Sequence, residues 1–253
     1  MTASVFPARL RAPLIWLGYG LACLWLALAL AWWLCAHFDY AYPVWYEVFG
    51  IENHIEKYAP QNPQKRGFAQ LSREQHLQAF AQINESVSHD GAGLEDIVYP
   101  GPQGQPVPLL NADEVNHLRD VAHLLDRTVP VTALFTLLWL PLAVALRRTG
   151  APARPVRWLT VGTAALILAG LLVVLGPEKV FYTLHEWLFP PENPWFFYWE
   201  ESLMSTLMKA PVLFGGIAVM IAAVALPLVV AFYWLGQRVA GAVTTRWASA
   251  STD

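Results

Sequence analysis

Charge and cysteine are both scarce in this chain. Asp, Glu, Lys and Arg make up only 14% of its 253 residues, and the two cysteines are Cys23 and Cys35. Both thiols fall in one apolar run, so none is left to cross-link a segment outside it. That excludes a disulfide-framed domain and a thiol relay. Neither cysteine follows the Leu-small-small pattern of a lipoprotein processing site. No serine or cysteine sits in a Gly-x-Ser-x-Gly elbow, so the sequence offers no nucleophile of that kind. A net charge of −3 says little about partners, and no nucleic-acid partner is expected.

What fills the space is apolar. Hydrophobic residues reach 56%, aromatics 13%, and the mean hydropathy is +0.38. Water-soluble domains rarely have this composition. Four stretches, residues 13–36, 128–146, 158–176 and 210–235, are long enough to cross a hydrocarbon core of about 30 Å, which takes roughly 20 helical residues. Helices are expected for all four, because a helix satisfies its own backbone polar groups in lipid. The fold class read from the chain is therefore an all-α membrane protein with a small extracytoplasmic domain between the first two spans.

The arginines set the expected orientation. Arg9 and Arg11 precede the first span, Arg147, Arg148, Arg154 and Arg157 occupy the 147–157 loop, and Arg238 and Arg246 lie in the 236–253 tail. Excess Lys and Arg in short loops marks the cytoplasmic side. Residues 1–12 and the tail are then expected to be cytoplasmic, while 37–127 and 177–209 face outward. A rival reading takes the first span as a cleaved signal peptide, but its apolar run continues through Trp32, Trp33, Leu34 and Cys35, longer than a typical h-region.

The 37–127 segment is expected to fold. Its start, Asp39 to Tyr46, has the aromatic richness of an interfacial belt. Ser72 is placed to cap a helix carrying Leu77, Phe80 and Ala81, which should end before Asp90 and Gly91. The turn chemistry of Gly101 to Pro106 between two β-prone runs predicts a small hairpin or loop. Asn111 and Glu114 form a capping-box pattern that opens a helix toward the second span, with Pro130 as an expected kink.

Two histidines stand out. In a helix, His117 and Asp120 share a face, and a carboxylate beside an imidazole raises its basicity and fixes its tautomer. A solvated polar face is the competing explanation. Extrapolating straight helices puts His117 about 15 Å and His185 about 10 Å beyond the edges of their spans, so both fall in the headgroup layer. The aromatic and proline-rich stretch after His185, including Trp195, belongs at the same interface. His123 is off the His117 face, and His54, His76 and His89 lie outside these motifs and are expected to be ordinary.

Three motifs together resemble a known family. Leu71-Ser72-Arg73-Glu74 opens a helix, Glu114-Val115-Asn116-His117-Leu118-Arg119-Asp120-Val121 precedes the second span, and Leu184-His185-Glu186-Trp187-Leu188-Phe189 with Asn193 and Trp195 follows the third. In this order and placement the chain resembles the bacterial integral membrane family that includes the lipoprotein intramolecular transacylase. The resemblance implies transfer of the sn-2 acyl chain of a diacylglyceryl-cysteine lipoprotein to the α-amine of that cysteine. A lyso-form lipoprotein results, with no cofactor, no metal and no covalent acyl-enzyme.

His117 and His185 are then the catalytic residues, supported by Asp120, Glu114 and Trp195. The favoured assignment makes His117, oriented by Asp120, the base and His185 the donor to the oxyanion or leaving alkoxide, and the roles can be exchanged. Substrates are diacylglyceryl-modified lipoproteins or membrane lipid. The alternative of another class is a non-enzymatic membrane protein that binds a lipid or protein partner through its outer domain. A b-type haem carrier would need histidines within the spans, and none is there. A zinc hydrolase would need a third ligand at unusual spacing.

Overall fold

The computed structural model describes residues 8–250. Residues 1–7 of the expected N-terminal segment and 251–253 of the expected tail lie outside the described residues. In chain order the elements are α1 (Ala8–His37), α2 (Tyr42–Val48), α3 (Ile51–Tyr58), α4 (Arg73–Val87), β1 (Val98–Pro100), β2 (Pro106–Pro108), α5 (Ala112–Thr149), α6 (Arg154–Leu175), α7 (Pro177–Leu188), α8 (Leu203–Met208) and α9 (Val212–Ala250). Short 3-10 turns link several of them. The chain is mostly helical, and four of its helices, within α1, α5, α6 and α9, are long and apolar enough to cross a membrane. It divides into two compact units.

Among the described residues, one unit comprises 8–32, 129–174 and 221–250 and holds most of the length of the first and fourth apolar helices with the apolar parts of α5 and α6. Its packed centre is Tyr19, Cys23, Ala143, Leu146 and Ala240, from α1, α5 and α9. The Tyr19 hydroxyl donates to the Tyr233 carbonyl at 2.6 Å, which removes the cost of placing a phenol in an apolar environment. Gly236 makes the approach possible, since a Cβ there would overlap that hydroxyl and press on the Trp139 ring. Trp25 Nε1 donates to Thr132 Oγ1 at 3.0 Å, and Arg147 donates to the Gln237 carbonyl at 2.9 Å. Leu166, Val173 and Val174 on α6 are more than 70% exposed. Such a surface is stable where hydrocarbon replaces water.

The other unit comprises residues 33–128 and 175–220. It starts with a tight left-handed turn: Asp39, Tyr40 and Ala41 have φ of 48°, 51° and 53°. A non-glycine residue in that region costs roughly 1 to 2 kcal/mol, so the turn needs support. Asn84 of α4 supplies it, donating to Asp39 Oδ1 at 2.7 Å and to the Ala36 carbonyl at 2.8 Å, while Trp45 Nε1 donates to the Tyr40 carbonyl at 2.8 Å.

The aromatic run beyond the turn is largely core. Tyr42 and Tyr46 are buried in α2, and Tyr42 stacks on Phe80 of α4 at 3.9 Å with nearly parallel rings. Its hydroxyl donates to the Leu207 carbonyl in α8 at 2.6 Å. Reading this stretch as a belt misses α2 and α3, because consecutive aromatic residues carry no periodicity that separates a buried face from an interfacial one. Gly216 of α9 lets Trp45 and Phe49 close on the α9 backbone.

Ser72 caps α4 in a full capping box with Gln75, and Val98–Pro100 pairs antiparallel with Pro106–Pro108 in the expected hairpin. α5 runs as one helix from Ala112 to Thr149, with Pro130 and Pro141 inside it. α9 continues beyond residue 235 to Ala250.

Candidate active site

The site begins with the N-terminus of α5. Asn111 N–H donates to Glu114 Oε2 at 2.5 Å, and Glu114 N–H donates to Asn111 Oδ1 at 2.9 Å, so the two side chains satisfy two of the orphan donors of the first turn. Glu114 is fully buried. It also accepts from the Ser202 hydroxyl and stands 3.6 Å from Lys65 Nζ, which donates to the Leu109 carbonyl at 2.6 Å. Ser202 in turn caps α8 by accepting from Ser205 N–H. Burial lowers the Lys65 pKa, and the neighbouring Glu114 carboxylate opposes that shift. Glu114 is thus the buried anchor that joins three segments. Lys65 and Ser202 were invisible in the motif reading, although Ser202 ahead of an apolar run is an N-cap signal.

His117 lies one turn further along α5 and is only 8% exposed. Its ring centroid is 6.2 Å from that of His185, in the last turn of α7. Phe189 lies against both rings, at 4.8 Å from His117 and 5.2 Å from His185. Phe197 adds a wall at 6.1 Å from His117, and Phe181 and Trp195 stand 3.9 Å and 5.0 Å from His185. The structure therefore brings His117, His185 and Trp195 into one aromatic-walled cluster. Phe189 and Phe197 belong to the stretch that the sequence reading placed at the interface, and Phe181 was not singled out there. Gly176, with a φ of 78°, separates α6 from α7, so extrapolating the third span as a straight helix to His185 does not hold.

The two imidazoles are held differently. His185 Nδ1 lies 2.8 Å from the Phe181 carbonyl oxygen, one turn back in the same helix. A carbonyl can only accept, so Nδ1 carries a hydrogen and the lone pair of the neutral ring is on Nε2. His117 Nδ1 is buried with no hydrogen-bond partner. Burial pushes the His117 pKa down to about 4, with the nearby His185 adding to the shift and Asp120 opposing it. His185 is also lowered by burial, against the Phe181 hydrogen bond. At neutral pH both rings are uncharged.

Asp120 is near His117 but does not hydrogen-bond it. Its Oδ2 accepts from Asn193 Nδ2 at 2.5 Å, so its influence on the ring is electrostatic and the expected orienting hydrogen bond is not made. His123 sits at 3.3 Å from Asp90 on the exposed surface. His54 and His76, expected to be ordinary, are both buried. His76 donates from Nε2 to the Phe68 carbonyl and accepts from Tyr46, both at 2.9 Å, while His54 packs against Tyr58 and Trp199. Among the described residues no group of three His, Cys, Asp or Glu side chains is placed to hold a metal ion.

No curated protein and no solved structure matches the chain. The family model described as "Lipoprotein intramolecular transacylase Lit" matches residues 64–210, a stretch that contains Lys65, Glu114, His117, Asp120, His185, Asn193, Trp195 and Ser202. With more than half of its length matched, the chain belongs to the lipoprotein intramolecular transacylase family.

Proposed function

We propose that His117 and His185 carry out an intramolecular O-to-N acyl transfer on a diacylglyceryl-cysteine lipoprotein at the outer face of a bacterial inner membrane, with both termini cytoplasmic. The observation that carries this reading is the pair itself. Two uncharged imidazoles lie 6.2 Å apart between aromatic side chains, one with its tautomer fixed and the other with a buried, unpartnered Nδ1. A buried polar atom without a partner is costly, and a substrate atom arriving there would supply one.

The neutral α-amine of the cysteine attacks the carbonyl carbon of its own sn-2 ester, forming the C–N bond. His185 Nε2 takes the amine proton, and the C–O bond to the glyceryl oxygen breaks. The same proton passes to that oxygen, leaving an amide and a free hydroxyl. His117, as a neutral imidazole, donates a hydrogen bond from Nδ1 to the developing oxyanion. A neutral histidine with a lowered pKa is suited to this role, because it stabilises charge without consuming a proton.

This assignment exchanges the roles favoured by the sequence. The Phe181 hydrogen bond supports His185 as the base, and the commitment of Asp120 to Asn193 removes the reason to prefer His117. Amine and ester sit in one molecule, so proximity is already supplied by the substrate and no acyl-enzyme is required.

Co-expression with a diacylglyceryl lipoprotein, followed by mass spectrometry of its N-terminal peptide, tests the reading. An N-acylated lyso-product is expected with the parent. An unchanged diacylglyceryl peptide with a free amine contradicts the transfer and favours a binding protein.

A further inference from the structure

The segment between α7 and α8 is anchored unevenly. Its second half is tied to α8, with the Ser205 hydroxyl donating to the Phe197 carbonyl at 3.1 Å and the Thr206 hydroxyl to the Trp199 carbonyl at 2.6 Å. Its first half, residues 190–196, contains Pro190, Pro191 and Pro194, which have no N–H to donate. Among the described residues, one hydrogen bond joins this half to the rest of the chain: Asn193 Nδ2 to Asp120 Oδ2, at 2.5 Å. Asp120 lies one helical turn beyond His117 in α5, and Trp195, two residues after Asn193, stands against His185. A single clip therefore links the helix that carries one histidine to the segment that walls the other.

We propose that Asn193 is a positioning residue, whose hydrogen bond to Asp120 holds residues 190–196 against the histidine pair so that Trp195 fixes the His185 ring and keeps water from the reacting ester. The clip acts through geometry. Asp120 accepts, Asn193 donates, and no proton is transferred between them. This inference deepens the acyl-transfer reading and rests on it for its catalytic consequence, while the clip itself is testable without any activity.

The experiment compares the full-length parent with Asn193→Ala, Asp120→Ala and the exchange variant Asp120→Asn/Asn193→Asp, all in lipid nanodiscs. The exchange variant restores the hydrogen bond with its polarity reversed, because the new amide donates to the new carboxylate. Asn193→Ala leaves the Asp120 charge in place, so its effect cannot come from a changed electrostatic influence on His117. Hydrogen–deuterium exchange is read on the peptide covering residues 192–198, and kcat and KM are measured on a synthetic diacylglyceryl lipopeptide per folded molecule, with thermal midpoints alongside.

Faster exchange in that peptide is expected for both alanine variants, with parental exchange in the exchange variant. The kcat of Asn193→Ala is expected to fall about tenfold, within the range that small misplacement of a catalytic group causes, and to recover in the exchange variant while the thermal midpoint barely moves. Parental exchange in Asn193→Ala overturns the clip. Faster exchange with parental kcat overturns its positioning role. A parent that forms no N-acyl product overturns the transfer reading instead, and the exchange arm alone then decides the clip.

Discussion

His185 donates its Nδ1 hydrogen to the Phe181 carbonyl, 2.8 Å away and one turn back in α7, while His117, 6.2 Å from it, leaves its own buried Nδ1 unpartnered. The difference is chemical as well as geometric. One ring is locked with a lone pair on Nε2, and the other retains hydrogen-bonding capacity at an atom closed off from solvent. The proposed division into proton carrier and oxyanion donor rests on that asymmetry.

The first prediction concerns protonation. A ring that stays neutral because it is buried binds fewer protons when folded than when unfolded. NMR titration of the histidine ring protons should show no ionisation of His117 between pH 6 and 8, consistent with its pKa of about 4. A midpoint near 7 for His117 would remove the neutral-donor role.

Stability should follow the same sign. His54 and His117 are both lowered to about 4, and His76 is lowered as well, so the unfolded chain binds more protons than the folded one once the pH falls below the usual histidine value of about 6.5. The thermal midpoint should therefore be flat above that value and decline as the pH approaches about 4. A midpoint that rises on acidification contradicts the burial of these rings.

Removing the anchor at the start of α5 should act on folding. Glu114→Ala deletes the capping carboxylate, the acceptor of the Ser202 hydroxyl and the counter-charge of Lys65. Breaking a buried pair from one side costs about 3 kcal/mol or more, so a sharp loss of folded protein and of thermal midpoint is expected. Parental stability of this variant would show that Lys65 needs no counter-charge.

How much of this was legible depended on range. Ser72 as a cap, and Asn111 with Glu114 as a capping box, were readable because a cap needs only residues a few positions apart. The four apolar helices were readable by length, and the hairpin by its glycine and proline turn. What the chain hides is which polar partner a residue takes. Asp120 was paired with His117 because they are three apart, yet it bonds Asn193, 73 residues away. Glu114 reaches Ser202 across 88 residues. The burial of His54 and His76 was equally hidden, since both belong to a core built from aromatic residues that resemble an interfacial belt. As mutagenesis controls they are unsuitable, and exposed His89 and His123 take their place.

Membrane orientation is tested by labelling. Single cysteines at the exposed positions 92 and 192, in a background with Cys23 and Cys35 replaced, should react with an impermeant reagent applied from outside, and one at position 149 only after permeabilisation. Reaction of position 92 from the cytoplasmic side would invert the placement of the site.

The most direct measurement is the rate of N-acyl lyso-lipopeptide formation by the parent, His117→Ala, His185→Ala and the double variant, each confirmed to be folded in the membrane, with His89→Ala as control. In the proposed transfer, base and oxyanion donor act in one transition state, so their losses should not add. Each single variant is expected to lose about 10² to 10⁴ in rate, the range for one general acid or base, and the double variant little more than the worse single, with the control at the parental rate. Folded His117→Ala and His185→Ala proteins that form product as fast as the parent would contradict the account.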